Sequence, residues 1–520
     1  MPRSIAKFTI IAGFIAAGTA GAQGTRLLRH PAVSREAIAF QYAGDLWVTG
    51  RTGGAARRLT ATPDVETDPR FSPDGSLIAF SRTSGNNTDV FVVPAAGGEP
   101  RRLTYHPGSD RVRGWAPDGK RIFFASDRAS PPQSSYLRLW SVPVDGGFEE
   151  PLPMPRAFGG QFSPDGKRIV YEEIPTAFVP DWYETSTWRH YRGGRTQPVR
   201  IMDVANHSVE KLPWKDSNDS DPMWIGNTVY FISDRNFTKN LFSYDLGTKQ
   251  LKQLTHHDDS DIMNATAGTD AIVYEQAGYV HLFDVKTGQS RRLSIDVVGD
   301  FPWARAGIKR VNAFIRDASL SPTGVRAAFE ARGDVFTVPA DKGDARNLSQ
   351  TPGAHDRLPV WSPDGAQIAW FSDASGEYQL MLGDQSGLTK PRAIALPTSA
   401  YYSNLSWSPS GKSLITEDNH LNLWLIDVAT GRATKIETDA FNTPGRDLDA
   451  VWSPDSKWIA YSKALDSHLR AIFLYSIADG KPVQVTDGLA DAISPPLTRA
   501  ANISTSSPAR TTVRARDGSR

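Results

Sequence analysis

One short turn recurs along this chain, and its spacing limits the fold more than any other feature. Phe71-Ser-Pro-Asp-Gly75, Trp115-Ala-Pro-Asp-Gly119 and Phe162-Ser-Pro-Asp-Gly166 stand in the first third. Leu320-Ser-Pro-Thr-Gly324, Trp361-Ser-Pro-Asp-Gly365, Trp407-Ser-Pro-Ser-Gly411 and Trp452-Ser-Pro-Asp-Ser456 follow later. Their prolines, at 73, 117, 164, 322, 363, 409 and 454, are mostly 41 to 47 residues apart. The long gap from Pro164 to Pro322 has room for degenerate copies near Trp224-Ile-Gly-Asn227 and Ala267-Gly-Thr269. Proline presets φ at the second turn position, Asp bonds its local backbone and Gly accepts the left-handed conformation.

Each turn is followed by an apolar run such as Leu77-Ile-Ala-Phe80, then a second such as Val90-Phe-Val-Val93. A Gly-Gly or Asp-Gly turn then leads to a short polar segment ending in Leu-Thr, as in Arg101-Arg-Leu-Thr104. Four strands in about 44 residues match a β-propeller blade. Apolar residues on consecutive positions suit strands packed on both faces by neighbouring blades. A jelly roll or Greek-key sandwich lacks this period.

Leu28 to Leu293 holds six such units, beginning with Ala37-Ile-Ala-Phe40 and Asp45-Leu-Trp-Val48. Residues 294–310 break the rhythm and read as a linker, and 311–495 carries four more units. Ten blades in one ring would exceed the usual four to eight. The expectation is therefore all-β: a six-bladed, TolB-like β-propeller (28–293) followed by an incomplete second propeller (311–495).

Arg3 and Lys7 precede an uncharged apolar stretch from Phe8 to Ala20, and Ala20-Gly-Ala22 supplies small residues for cleavage before Gln23. Residues 1–22 read as a signal peptide, which predicts an exported protein, periplasmic or secreted. The stretch is shorter than the roughly 20 residues needed to span a bilayer, and no later run suffices. The chain has no cysteine, so disulfides, thiolate metal sites and cysteine nucleophiles are excluded. A net charge of +1 argues against a nucleic-acid partner.

Four segments in order carry a family resemblance. Leu28-Arg-His-Pro31 with Ala43-Gly-Asp-Leu-Trp47, and Trp188-Arg-His-Tyr-Arg-Gly-Gly194, resemble tricorn-type serine proteases. Gly299-Asp-Phe-Pro-Trp303, then Ala318-Ser-Leu-Ser-Pro-Thr-Gly324 with Phe371-Ser-Asp-Ala-Ser-Gly-Glu-Tyr-Gln379, resemble the bacterial homologues. The likeness runs over about residues 28 to 495. It implies an oligomeric protease whose six- and seven-bladed propellers admit peptides or unfolded polypeptides beside a PDZ-like and a catalytic domain. The family's catalytic residues belong to its C-terminal half, so none is assigned here. Against seven blades, four would leave apolar faces uncovered, and the second propeller is expected to be marginal or aggregation-prone. A standalone TolB-like interaction module is the alternative reading. The propeller of a prolyl-oligopeptidase-like or amidohydrolase fusion is a third.

From Pro496 to Arg520 no aromatic residue occurs, and the basic residues are Arg499, Arg510, Arg514, Arg516 and Arg520. This segment reads either as the product of a frameshift or premature stop after Pro495, or as a disordered basic tail.

No Gly-x-Ser-x-Gly elbow, His-Glu-x-x-His or phosphate-binding Gly-rich loop occurs. No metal or cofactor is expected, and Thr255-His-His-Asp-Asp-Ser-Asp261 reads as a solvated loop between blades. Arg111 and Arg113, in the segment before Trp115, read as a loop whose two guanidinium groups face one way. The resemblance implies a role in holding a peptide's C-terminal carboxylate, although the family's arginines are adjacent and Val112 separates these. Trp188, Tyr191 and Arg192, with His190, lie in an insertion, 174–198, that offers either peptide contacts or a clasp packing the loop on its own blade. The recurring Trp115, Trp361, Trp407 and Trp452 read as blade packing.

Overall fold

The computed structural model describes residues 24–130, 136–174, 190–301, 307–442 and 447–497. The expected signal peptide, Trp188 and nearly all of the basic tail lie outside the described residues. The described residues fall into two compact units, one of 1–124, 141–149 and 264–300 and one of 125–140, 150–263 and 301–520. Among the described residues the secondary structure is β throughout, with a 3₁₀ turn at Asn312–Phe314.

Ten sheets follow one another among the described residues, here called blades 1 to 10, each built of four strands paired in chain order. Blade 2 is typical: Val65–Phe71, Leu77–Ser84, Asn87–Pro94 and Arg101–Arg102. The degenerate copies fall where the period puts them, with Asp219–Ile225 and Met263–Ala267 opening blades 5 and 6. Blade 1 carries a fifth strand: Ile295–Val297, inside the segment read as linker, pairs in parallel with Gly54–Ala56. Its apolar Ile and Val beside the vacant edge of a sheet explain why it joins that sheet.

The recurring turn is held by its own residues. In blade 2 the Gly75 N–H donates to the Ser72 carbonyl (2.8 Å), and the Ser72 N–H donates to the Leu77 carbonyl (2.9 Å). The Ser72 hydroxyl donates to the Asp74 carboxylate (2.5 Å) and accepts from the Leu77 N–H (3.0 Å). These bonds to the ionised form hold the exposed Asp74 carboxyl below its ordinary range. Gly75 has φ +77°, the conformation L side chains avoid. The last copy places Ser456 there at φ +60°, and its hydroxyl accepts the Ser410 N–H of blade 9 (3.0 Å).

The Leu-Thr ending has an equally local purpose. The hydroxyls of Thr60, Thr104, Thr255, Ser349 and Thr486 accept the N–H groups of Leu46, Val90, Leu241, Val335 and Ile472 at 2.9 to 3.1 Å. The fourth strand is thereby tied to the third.

Cores form between consecutive blades. Ala39 and Leu46 of blade 1 pack with Ile78, Phe80 and Val93 of blade 2, and Ile415 and Leu423 of blade 9 with Ile459, Tyr461 and Tyr475 of blade 10. Each large side chain so buried contributes roughly 1.5–3 kcal/mol. The recurring tryptophans join adjacent blades by a second means: the indole N–H of Trp115, Trp361, Trp407 and Trp452 donates to the carbonyl of Arg70, Ser319, Val360 and Ser406 respectively, at 2.9 to 3.4 Å. Every acceptor stands one residue before the equivalent aromatic or apolar position of the preceding blade.

Candidate functional site

The first strand of a blade contacts the first strand of its neighbour, as blades 1, 2 and 3 show in the first unit. Polar residues gather there. The position three residues before the strand's last apolar residue is left-handed in His30, Asp68, Asp221, Asn264, Leu358, Asn404 and Asp449, with φ between 46° and 54°. At most of these the pairing register shifts, for example between Arg29 and Ala32 and between Thr67 and Arg70. A bulge there re-aims the side chain, and Asn, Asp and His tolerate the conformation best.

In the first unit these bulges assemble one charged cluster. Asp68 accepts from Arg113 (3.0 Å) and faces His30 Nδ1 (3.4 Å). The His30 N–H donates to Glu275 (2.5 Å), which also accepts from the Asn264 amide (2.8 Å) and pairs with Arg29 (3.8 Å). Burial would raise the Asp68 carboxyl, but Arg113, His30 and Arg70 outweigh it and hold it well below the usual carboxylate range. Asp68 is therefore a fixed anion with Arg113 as its counter-ion.

The two expected arginines lie on a strand rather than in a loop. Asp110–Trp115 is the first strand of blade 3, with Asp110, Val112 and Gly114 buried and Arg111 and Arg113 half-buried. The alternation of charged and small residues suits a strand with one face toward polar neighbours. Arg113 is committed to Asp68, and the carbonyl of Arg113 accepts from Arg70 Nε (3.3 Å). Arg111 shares the strand and the side but not that ion pair.

The end of the insertion is pinned to the following blade as well as to its own, where the Gln197 side chain accepts from the Glu173 and Ile174 N–H groups (3.1 and 3.0 Å). Arg192 pairs with the fully buried Asp234 of blade 5 (2.9 Å) and donates to its carbonyl (3.1 Å). The Asn218 amide donates to both Asp234 (2.6 Å) and the Tyr191 carbonyl (2.8 Å). The His190 ring packs tilted against Phe237 with centroids 4.5 Å apart, and burial and then Arg192 hold its imidazole below the ordinary value. Arg192 and Tyr191 are thus brought together, while Arg111 and Arg113 belong to the other unit. The polar loop at 255–261 is ordered by Asn240, whose side chain accepts from the His257 N–H (2.8 Å) and the Thr255 hydroxyl (2.9 Å).

Sequence reading passed over His30, Asp68, Asn264 and Glu275. The available signal was a His, Asp or Asn recurring at that left-handed position in blades 1, 2, 5, 6, 9 and 10.

Six blades, four further blades and an ionic cluster on the first strands define a protein with two successive β-propellers. The tricorn protease N-terminal beta propeller domain matches residues 25–289, and the tricorn protease second beta propeller domain matches 315–498. The chain belongs to the tricorn protease family. It is 29% identical over 478 residues to tricorn protease homolog 1 of Streptomyces coelicolor, covering 88% of this chain and 43% of that protein. It is 26% identical over 461 residues to the tricorn protease homolog of Saccharolobus solfataricus, covering 88% and 41%. The crystal structure of the tricorn protease matches at 23% identity and a TM-score of 0.49, over 90% of this chain and 45% of that one. The chain spans less than half the length of these relatives. No helix among the described residues is long and apolar enough to cross a membrane.

Proposed function

We propose that this chain supplies the propeller portion of an exported tricorn-type serine protease and binds peptides or unfolded polypeptides for hydrolysis elsewhere in the assembly. The observation that carries this reading is the ionic lining of the first strands of blades 1 to 3. There Asp68 pairs with Arg113, and Arg111 lies two residues away on the same strand. A cation so placed suits a peptide carboxylate, the group that a guanidinium binds in two-point fashion. Arg192 and Tyr191 position the insertion on blade 5.

The test is fluorescence anisotropy of labelled, unstructured peptides with the full chain. A peptide with a free C-terminal carboxylate is expected to bind about tenfold more tightly than its amide, a difference near 1.4 kcal/mol. Arg111→Ala should erase that preference. Equal binding of both peptides would overturn the assignment to Arg111, and no binding of either would overturn the reading itself.

Export is supported by the basic residues, apolar stretch and Ala20-Gly-Ala22 at the N-terminus. Amino-terminal sequencing of the protein from the periplasmic fraction should begin at Gln23. Homo-oligomer formation, which the family likeness suggests, is read by light scattering of the same material.

A further inference from the structure

At one repeat position the second strand of a blade reaches into the next. Ser81 accepts the N–H of Val112 (2.9 Å), Glu275 that of His30 (2.5 Å), Glu330 that of Leu358 (3.4 Å) and Glu417 that of Leu448 (3.2 Å). Each is the fifth residue of its strand, so the four are equivalent. Their surroundings differ in charge. The blade after Glu275 presents Arg29 at 3.8 Å, and the blade after Glu330 presents His355 at 3.7 Å. The blade after Glu417 presents Asp447 and Asp449 instead, one on each side of the bonded Leu448.

Glu417 is 6% exposed, and its Oε1 atom is buried with no hydrogen-bond partner. Burial and then Asp447 push its carboxyl up to about 7, with Asp449 adding to the rise and the Leu448 N–H and Asn404 opposing it. Above it the exposed Asn404 amide donates to Asp447 Oδ2 (3.1 Å), and the Ser494 hydroxyl donates to Asp449 (3.3 Å). The buried cation of blade 10, Arg470, is committed to Asp439 (2.9 Å) and to the carbonyls of Asp447 (3.0 Å) and Ser462 (2.7 Å). An unpartnered carboxylate oxygen therefore lies at a junction whose next blade supplies two further carboxylates, where two other blade junctions place Arg29 and His355.

We propose that Glu417, Asp447 and Asp449 form a binding site for a primary ammonium group, either the amino terminus or a lysine side chain of a bound polypeptide. The Asn404 amide stands at its mouth and swings aside when the ammonium enters. Three N–H donors on one small cation match separate carboxylate acceptors. The site rests on the peptide-binding reading and adds to it a second, oppositely charged anchor.

The experiment uses the full chain at pH 8 and a fluorescent decapeptide in three forms: free amino terminus without lysine, N-acetylated without lysine, and N-acetylated with one lysine. The free-amine form, the lysine form or both should bind at least about tenfold more tightly than the acetylated lysine-free form, which also tells the two sources apart. Glu417→Gln and the rim variant Asp449→Asn should abolish that preference while leaving the acetylated peptide's affinity unchanged. Asn404→Ala should keep the preference. Circular dichroism checks folding, and Asp449→Asn decides the matter if Glu417→Gln unfolds.

Equal binding of all three forms, or a preference that survives both acidic-site variants, overturns the ammonium site while leaving peptide binding intact. Displacement of the peptide by micromolar calcium would overturn it in favour of a metal site. Failure of every form to bind overturns both readings.

Discussion

The indole N–H of Trp407 donates to the backbone carbonyl of Val360 at 3.2 Å, 47 residues earlier in the chain. Val360 precedes Trp361, whose own indole N–H donates to Ser319. The tryptophans thus make a relay of joints, each blade hung on the one before it. Trp407→Phe keeps the ring packing and loses only the bond, leaving the half-buried Val360 carbonyl without this donor. A loss of about 1–2 kcal/mol is expected in urea denaturation. Trp407→Ala should cost about 3–5 kcal/mol, because a cavity is added.

Arg113 and Asp68 are both largely buried, with side chains 11% and 5% exposed. Arg113→Ala leaves a buried anion with weaker compensation and should destabilise the first propeller by about 3–5 kcal/mol. Adding Asp68→Asn should recover part of that loss. Denaturation followed by tryptophan fluorescence distinguishes the two, and an unchanged midpoint in Arg113→Ala would refute the pairing.

Glu417 has a folded-state value of about 7 against an ordinary 4.5. Its contribution to stability is therefore fully present below pH 4.5 and is lost as pH rises through 7. Glu417→Gln should match the parent near pH 4 and exceed it at pH 8 by up to about 3 kcal/mol. Asp317, raised to about 6 by burial and by Glu330, slopes the same way in both proteins, so the difference between them isolates Glu417. Urea midpoints at the two pH values provide the measurement.

Gly114 lies against the ring of Phe123, and a Cβ there would stand 2.5 Å from a ring carbon. Gly114→Ala should cost about 1–3 kcal/mol through overpacking, read as a lowered unfolding midpoint. Phe123→Leu in the same background should return part of it.

The blades were legible in the sequence because their signals are local. Ser72, Pro73, Asp74 and Gly75 close their own turn, and Ile78 to Phe80 are apolar on both faces. The packing role of the tryptophans was also readable from their period. The polar cluster was not, because His30, Asp68 and Glu275 meet only after more than 200 residues have circled back. Arg111 to Arg113 resembled a loop because charged residues are scarce in strands, yet the first strand of a blade faces polar neighbours and admits them. The tie between Arg192 and the next blade was not legible because its partner, Asp234, is 42 residues away. The fifth strand of blade 1 was hidden in a segment with no turn of its own.

That fifth strand sets a timetable for synthesis. Ile295–Val297 covers the edge left by Gly54–Ala56, and the Thr25 N–H donates to the Ile295 carbonyl (2.7 Å). Both partners leave the ribosome some 240 residues or more before Ile295 does, an interval of about 12–50 s at ordinary elongation rates. Through that interval blade 1 carries a bare edge, the condition in which strands pair with the wrong neighbour. A nascent-chain holdase acting before residue 295 emerges would therefore bear directly on the yield of folded protein.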